Sequence, residues 1–206
     1  MLGVYVTVPV ACFRKGLARE YLETEPLPPP ATCYGFLLSL VGETDRRKYI
    51  GARVVPVLLN KSPTSVVLRT VWRVKSKPLG SSGNTRPDYQ QLLTGVELAI
   101  WLESADLEDR VRNALSSPAS VSRFGGLSLG ESTHMVDEVC LLDRVRDRLP
   151  AKGRIFLQRE DKKGRLTLPT WVDHVGSAGT RYATGDLEEL PLVPPPPGRM
   201  PVISPE

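Results

Sequence analysis

The 206-residue chain has few of the side chains from which metal sites, disulfide frameworks and stacking surfaces are built. It contains three cysteines and two histidines, and aromatic residues make up only 6% of it. Cys12, Cys33 and Cys140 are odd in number and far apart, so their spacing fits neither a set of disulfides nor a zinc site. We therefore expect no metal or other cofactor, and we expect the cysteines to behave as small buried residues in a reducing cytoplasm.

Long apolar runs and a recognisable leader are also missing. No run approaches the roughly 18 residues that a helix needs to cross a bilayer. Residues 1–12 contain no Lys or Arg ahead of their apolar stretch, so we interpret them as a strand of the mature fold. The sequence therefore predicts a cytoplasmic protein with no membrane partner.

The motifs of two common enzyme classes are absent or out of context. The chain has no G-x-x-x-x-G-K-[ST] loop, which excludes a P-loop nucleotide-binding site. Residues 126–130 match the G-x-S-x-G nucleophile elbow, but the residues before them are polar where that motif requires a buried strand. We therefore set a serine hydrolase aside.

The same glycines suit a loop that approaches a ligand with its backbone. Gly125, Gly126 and Gly130 permit positive φ angles and close approach, so exposed N–H groups there could line a phosphate. Arg123 would add positive charge beside them. A plain tight connection between a helix and a strand explains these glycines equally well.

Positive charge is concentrated between residues 60 and 90. This segment has six Lys or Arg residues and one acid, so its excess of five positive charges is larger than the net charge of +4 of the whole chain. A basic arm of this kind is typical of proteins that bind polyanions such as nucleic acids.

The arm also alternates in a way that predicts a strand with two different faces. Side chains of a strand from residue 66 to residue 75 lie alternately on its two sides. The face that we expect to pack consists of Val66, Leu68, Thr70, Trp72 and Val74. Arg69, Arg73 and Lys75 form the opposite, cationic face. The pattern also fits an ordinary amphipathic strand whose charged face is solvated.

Hydrophobic periodicity predicts the order of the main elements. Strands are expected at residues 2–8, 49–59, 95–102 and 134–142, and helices at residues 32–41 and 107–116. Residues 155–158 and 166–171 are expected to pair as a hairpin, and the proline-rich residues 191–201 to form an extended, weakly ordered tail. The resulting βαββαβ order predicts an α+β fold of the ferredoxin-like or RRM type.

We divide the chain into two regions on this basis. Residues 1–142 are the RRM-like domain, and residues 60–94 are a long β-hairpin inserted into it. Residues 143–206 are a C-terminal extension that ends in the proline-rich tail. Because the RRM signature with aromatic residues on the central strands is absent, RNA would be held by arginine, by glycine backbone and by insertion between bases.

Three segments resemble the fifth family of CRISPR-associated proteins, the Cascade subunit at the 5′ handle of crRNA. The first is the opening strand with Phe13 and Arg14, followed by the helix entry at residues 29–40. The second is the basic insertion, residues 60–94. The third and most specific is the run RFGGLSLGESTHMVDEV at residues 123–139. The likeness spans roughly residues 1–142.

The resemblance implies a non-catalytic RNA-binding subunit of a type I CRISPR surveillance complex that binds and caps the 5′ handle of crRNA. In the family, the inserted hairpin is a thumb that presses between crRNA nucleotides. The implied partners are crRNA, the large subunit near the PAM and the first backbone subunit, with target DNA near the PAM as a further candidate. The RNA-binding residues implied for this chain are Arg14, Lys15, Arg69, Arg73, Lys75, Arg86, Arg123, Gly125, Gly126 and His134.

Two other functions stay open at this point. One branch of the family is a metal-independent endoribonuclease that processes the crRNA precursor with residues of the Tyr, Lys and His type. Lys15, His134, Tyr5, Tyr21 and Tyr34 are the side chains from which such a set could be drawn, but no spacing in the sequence requires it. A free-standing RRM-like RNA-binding protein is the other alternative. We expect a subunit that is not an enzyme.

Overall fold

The computed structural model describes residues 1–16, 18, 21–72, 78, 81–161, 163–174 and 177–206. Two residues with an expected RNA contact, Arg73 and Lys75, lie outside the described residues, and so does the side chain of Trp72. The strands of the described chain are β1 (Leu2–Ala11), β2 (Tyr21–Leu22), β3 (Arg53–Leu58), β4 (Thr64–Trp72), β5 (Thr85–Glu103), β6 (Glu138–Leu141), β7 (Lys152–Gln158), β8 (Leu166–Trp171) and β9 (Arg181–Pro191). Its α-helices are α1 (Pro30–Leu40) and α2 (Ala105–Ser116).

A large antiparallel sheet organises this mixed α/β chain. Its strand order is β6-β1-β5-β3-β7-β9-β8, and β2 and β4 pair with β5 outside that path. The pairs along the path are antiparallel, whereas β2 runs parallel to β5. The predicted succession of strand, helix, strand, strand, helix and strand is present as β1, α1, β3, β5, α2 and β6.

One face of the sheet packs against the two helices. Alternate residues of β1, from Leu2 to Val8, are buried there, as the alternation in the sequence predicts. Leu37 of α1 and Val111 of α2 are fully buried against them. Helix α1 begins at Pro30, two residues earlier than predicted, because proline is well tolerated in the first turn of a helix.

The opposite face of the sheet is also covered. Tyr5 and Trp101 belong to a second apolar cluster, together with Val145 from the 3₁₀ turn at Leu142–Arg148 and with Met200 from the C-terminal region. A sheet that is buried on both faces explains why its central strands are apolar almost throughout.

The expectation of a weakly ordered tail is wrong. Leu192, Met200 and Ile203 are each at most 2% exposed. The N–H of Ile203 donates to the Ala52 carbonyl at 2.8 Å, and the N–H of Gly51 donates to the Ile203 carbonyl at 2.9 Å. The prolines prevent a helix, but the apolar residues between them still bury their side chains and hold the chain against the start of β3.

The expected hairpin of residues 155–158 with residues 166–171 is also wrong. Both segments are strands, β7 and β8, but β9 lies between them and pairs with each. Gly185 of β9 makes this possible, since a Cβ atom at that position would lie 2.2 Å from the Leu157 carbonyl oxygen. The alternation in the sequence identifies these strands without identifying their partner.

Candidate nucleic-acid interface

The basic insertion forms an antiparallel hairpin of β4 and β5 that extends beyond the central sheet. Pairing runs from Thr64 opposite Leu93 to Trp72 opposite Thr85. The later part of β5, from Leu93 onward, pairs with β1, whereas residues 85–92 pair with β4 and, at two positions only, with β2. The hairpin is therefore an arm of the sheet, as the sequence predicts.

One face of this arm is apolar and exposed. Val66 is 52% exposed, Leu68 is 62% exposed and its cross-strand neighbour Tyr89 is 54% exposed. Tyr21, which pairs with Tyr89, is 42% exposed. We refer to these four residues as the exposed arm face. The expectation that Val66 and Leu68 pack is wrong, because alternation distinguishes the two faces of a strand but does not say which one another layer covers.

The opposite face of the arm lies against the body of the protein. Arg69 is the cross-strand neighbour of Asp88, and its Nη1 lies 3.3 Å from Oε2 of Glu131. The Gln90 amide donates to Oε1 of the same Glu131 at 3.0 Å. Nε of Arg86 lies 3.4 Å from Oδ1 of Asp88, which is only 2% exposed. Arg69 and Arg86 thus have carboxylate partners within the chain, and the positive charge of the arm is partly balanced at its base.

Glu131 is held in place by a turn around His134. Nδ1 of His134 accepts hydrogen bonds from the N–H groups of Cys12, at 3.1 Å, and of Glu131, at 3.2 Å. An Nδ1 that accepts carries no proton, so the imidazole is neutral, and burial lowers its pKa further. Gly130 has a φ of 106°, and a Cβ atom there would lie 2.8 Å from the Cys12 carbonyl oxygen. The turn is consequently fixed to the end of β1.

The glycine-rich loop precedes this turn and is anchored on α1. Nη2 of Arg123 donates to the Leu40 carbonyl at 3.0 Å, so this side chain satisfies an otherwise unpaired carbonyl at the end of the helix. Gly125 has a φ of 76°, and a Cβ atom on Gly126 would lie 2.2 Å from Cε of Met135. Both glycines are exposed, so their backbone remains accessible between fixed ends.

Sequence reasoning missed the side chain that this loop presents. Phe124 is completely exposed, with a relative accessibility of 105%. The signal was present, because an aromatic residue between an arginine and two glycines has no apolar neighbour in the sequence with which to pack. Large exposed aromatic side chains are typical of binding surfaces.

The loop after β1 contacts the base of the arm. Arg14 is exposed, and its Nη2 donates to the Ala18 carbonyl at 2.8 Å. Nζ of Lys15 lies 3.4 Å from Glu23. Thr24 ties this loop to the hairpin, since its N–H donates to the Gln91 side chain at 3.1 Å. Arg14 and Lys15 therefore lie beside the base of the arm.

The three tyrosines from which an acid–base set could be drawn are held in other contacts. Tyr5 packs in the cluster on the far face of the sheet. Burial raises the pKa of Tyr34 to about 12, and its hydroxyl donates to the Arg46 carbonyl at 2.8 Å. The Tyr21 hydroxyl accepts from the Gln91 amide at 3.0 Å. Within the described part of the chain no group of three or more His, Cys, Asp or Glu residues could hold a metal ion, and no α-helix is long and apolar enough to span a membrane.

Comparison with known proteins bears directly on these features. No protein-family model matches the chain. The CRISPR-associated protein Cas5 of Myxococcus xanthus strain DK1622 is 51% identical over 203 residues, which cover 94% of this chain and 93% of that protein. The chain belongs to the Cas5 family.

Solved structures show that the fold of this Cas5-family chain is shared with other CRISPR proteins. A chain of a CRISPR RNA-guided surveillance complex aligns with a TM-score of 0.64 and 15% identity over 92% of this chain and 89% of its own length. The crystal structure of a Cas protein aligns with a TM-score of 0.55 and 17% identity over 100% of this chain and 99% of its own length. At these identities the comparison concerns the fold alone.

Proposed function

We propose that this Cas5-family protein is a non-catalytic RNA-binding subunit of a type I CRISPR surveillance complex, Cascade, and that it binds and caps the 5′ handle of crRNA. Family membership supports a role in CRISPR immunity. The observation that carries the RNA-binding role is the hairpin arm, which extends from the sheet with an exposed aromatic and apolar face beside the glycine-rich loop and the loop after β1.

The fold supports this assignment. The strand order β6-β1-β5-β3, with α1 and α2 on one face, is the order that we assign to a ferredoxin-like, RRM-type domain over residues 1–142. The arm, residues 60–94, is then the thumb of that domain, and residues 143–206 are an extension that lengthens the same sheet through β7. We propose that this extension belongs to the contact surface for neighbouring subunits.

The arm would contact RNA in two ways. On the exposed arm face, Tyr89 and Leu68 offer flat apolar surface against which separated bases of the handle can stack. We propose that Arg69 and Arg86 contact phosphates, and also Arg73 and Lys75, which lie outside the described residues. Arginine has five N–H donors, so an arginine that one carboxylate holds at one position can still donate to a phosphate from others.

The two loops would hold the nucleotides that flank the arm. Arg14 and Lys15 contribute positive charge in the loop after β1. In the glycine-rich loop Gly125 and Gly126 offer backbone N–H groups, and Arg123 fixes their position through α1. We propose that His134 acts in RNA binding through the position of this turn, because its Nδ1 is occupied by two backbone donors.

Within such a complex the guide, and not this subunit, reads the target sequence by base pairing. The protein would anchor the 5′ end of the guide and contact the large subunit near the PAM and the first backbone subunit. Phosphate contacts by arginine and lysine supply affinity that depends on salt and not on sequence.

The competing function is a metal-independent endoribonuclease that processes the crRNA precursor. If His134 were its general base, Nδ1 would have to be free, but this atom already accepts two hydrogen bonds. Incubating the purified protein with repeat RNA in EDTA separates the two functions. Cleavage that is lost in His134→Asn would support the enzyme.

The experiment that tests the proposed function is co-expression of the chain with the other subunits of its CRISPR locus, followed by sequencing of the RNA that co-purifies. The proposal predicts short RNA with one uniform 5′ end. Recovery of an assembled complex without RNA, or with RNA of scattered 5′ ends, would contradict it.

A further inference from the structure

A groove of about 390 Å³ lies between α1, the glycine-rich loop and the end of β8. Its wall includes Thr32, Gly35 and Ser39 of α1, Ser128 of the loop, and Arg46 and Trp171 on the opposite side. Ligand pockets in proteins commonly measure about 300–1,000 Å³, so the volume suits a ligand as large as one nucleotide. None of the RNA contacts proposed above uses this groove.

Arg46 is fixed on the groove wall by three contacts. Its guanidinium carbon lies 4.0 Å from the centroid of the Trp171 ring. Nη2 donates to the Val172 carbonyl at 2.7 Å, and the Arg46 carbonyl accepts from the Tyr34 hydroxyl at 2.8 Å. The flat guanidinium is therefore already oriented against the indole, and a ligand would not need to order it.

The charge of Arg46 has no acidic partner among the described residues. It makes no ion pair there, in contrast to Arg53 and Arg110, which pair with Glu103 and Glu43. No carboxylate of the described chain lines the groove. A guanidinium recognises anions and also stacks on flat rings, so an arginine that is oriented on an indole and has no carboxylate partner points to an anionic ligand with a flat apolar part.

We propose that this groove binds one unpaired nucleotide of the guide RNA, an inference that rests on the proposed function. The Arg46–Trp171 pair provides a planar cationic surface for the base and its phosphate. The hydroxyl groups of Thr32, Ser39 and Ser128 provide hydrogen-bond partners for the base edge. Proteins commonly read single-stranded RNA by stacking an unpaired base on an aromatic ring or a guanidinium plane and by hydrogen bonds to its edge.

A nucleotide fits these observations better than an acidic peptide. The groove is continuous with the glycine-rich loop, since Ser128 and Gly130 of that segment line it. A base that leaves the backbone at this loop can enter the groove directly. Several hydroxyl groups around a stacked guanidinium match a heterocycle with donors and acceptors, whereas a carboxylate would use the guanidinium alone.

Gly35 allows the groove to be filled without disturbing the fold. It is exposed on α1, and a Cβ atom there would meet no atom within 4 Å. Gly35→Leu therefore places a side chain in the groove, and Gly35→Ala is the matched control that keeps the groove open. Both changes favour the helix.

The test uses the assembled complex and photocrosslinking. The RNA that co-purifies is sequenced and resynthesised with 4-thiouridine or 6-thioguanosine at one position at a time, and crosslinked peptides are identified by mass spectrometry. We expect one position of the RNA to crosslink to residues 31–46 or 170–174. That crosslink should persist in Gly35→Ala and fall at least tenfold in Gly35→Leu and in Arg46→Ala.

The other outcomes distinguish a failure of the groove proposal from a failure of the proposed function. If the wild-type complex shows crosslinks only in the arm and in the loops, the groove does not bind a nucleotide. The proposed function would be unaffected by that result. If the Gly35→Leu complex loses a protein subunit while its RNA crosslinks are unchanged, the groove is a protein-docking site. That result would contradict nucleotide binding in the groove. Absence of RNA from the wild-type complex would contradict the proposed function itself. If Gly35→Leu does not assemble, the crosslinks of the wild-type complex still show whether RNA occupies the groove.

Discussion

Arg69 and Glu131 join the hairpin arm to the turn after the glycine-rich loop, with Nη1 of the arginine 3.3 Å from Oε2 of the carboxylate. These residues are far apart in the sequence, and the pattern of residues around either one does not indicate the other as its partner. Gln90 contacts the same carboxylate, so the base of the arm is fixed by two contacts on one side chain. The base of the arm and the turn after the glycine-rich loop are therefore in direct contact, so a change at Glu131 alters the surroundings of Arg69.

The first prediction concerns Arg69. Arg69→Ala should reduce the slope of log K for handle RNA against log salt by roughly one unit, because one phosphate contact is lost. Fluorescence anisotropy at several salt concentrations measures this slope. Arg112→Ala is the control, since Arg112 is an exposed cation on α2, which is not part of the arm. A slope that Arg69→Ala leaves unchanged would remove this arginine from the interface.

The second prediction concerns Glu131. Glu131→Gln keeps a side chain of the same shape but removes the negative charge that competes with phosphate for Arg69. We expect a steeper salt dependence and tighter RNA binding at low salt, with a stability loss of about 1 kcal/mol or less, as is typical of partly exposed ion pairs. Salt titrations of RNA binding and urea unfolding measure the two effects. Weaker binding in Glu131→Gln would indicate that the carboxylate is needed to orient Arg69.

The third prediction concerns the exposed arm face. Tyr89→Thr should weaken binding of handle RNA by about 1–3 kcal/mol, the usual contribution of one base stacked on an aromatic ring. Stability should change little, because Tyr89 is 54% exposed and threonine suits a strand. Val193→Thr is the control, as Val193 is an apolar residue of the C-terminal region that is 49% exposed. Equal effects of the two variants on RNA affinity would argue against stacking on the arm.

The fourth prediction follows from the lowered pKa of His134. The folded state holds the imidazole neutral, so below a pH of about 6.5 the unfolded state binds a proton that the folded state does not. This contribution to stability is therefore complete above pH 6.5 and is lost as the pH falls toward the folded pKa, with a slope of at most about 1.4 kcal/mol per pH unit. Urea unfolding of the wild type and of His134→Asn between pH 5 and pH 8 tests it. If the free energy of unfolding depends on pH in the same way in the two proteins, His134 is not the group responsible.

The sequence predicted the local pattern of the fold well. Alternation from Leu2 to Val8 correctly identified β1, and the apolar run ending at Gly42 correctly identified α1. The basic insertion is a hairpin, as its charge and its Gly/Ser-rich tip indicate. Each of these features depends on periodicity or turn chemistry within a short stretch of chain.

The features that the sequence did not predict depend on distant contacts. Alternation separated Leu68 from Arg69 correctly, but it could not show that Leu68 faces outward, because that depends on which layers surround the arm. Two other features depend in the same way on contacts between residues that are distant in the sequence. They are the position of β9 between β7 and β8 and the burial of Ile203. For the candidate site, charge and glycine identified the arm and the loops. The role of Glu131 emerged only from the fold, whereas Phe124 was missed although the sequence carried a signal for it.

The most direct test of the central claim replaces residues 73–84 with Asn-Gly. A two-residue Asn-Gly turn is compatible with continued pairing of Trp72 with Thr85, so β4 and β5 and the Arg86–Asp88 pair are retained. In the reconstituted complex, nuclease protection of the 5′ handle is compared between this variant and the wild type. The account predicts unchanged thermal stability of the isolated chain and loss of handle protection. Full protection of the handle by the shortened arm would contradict it.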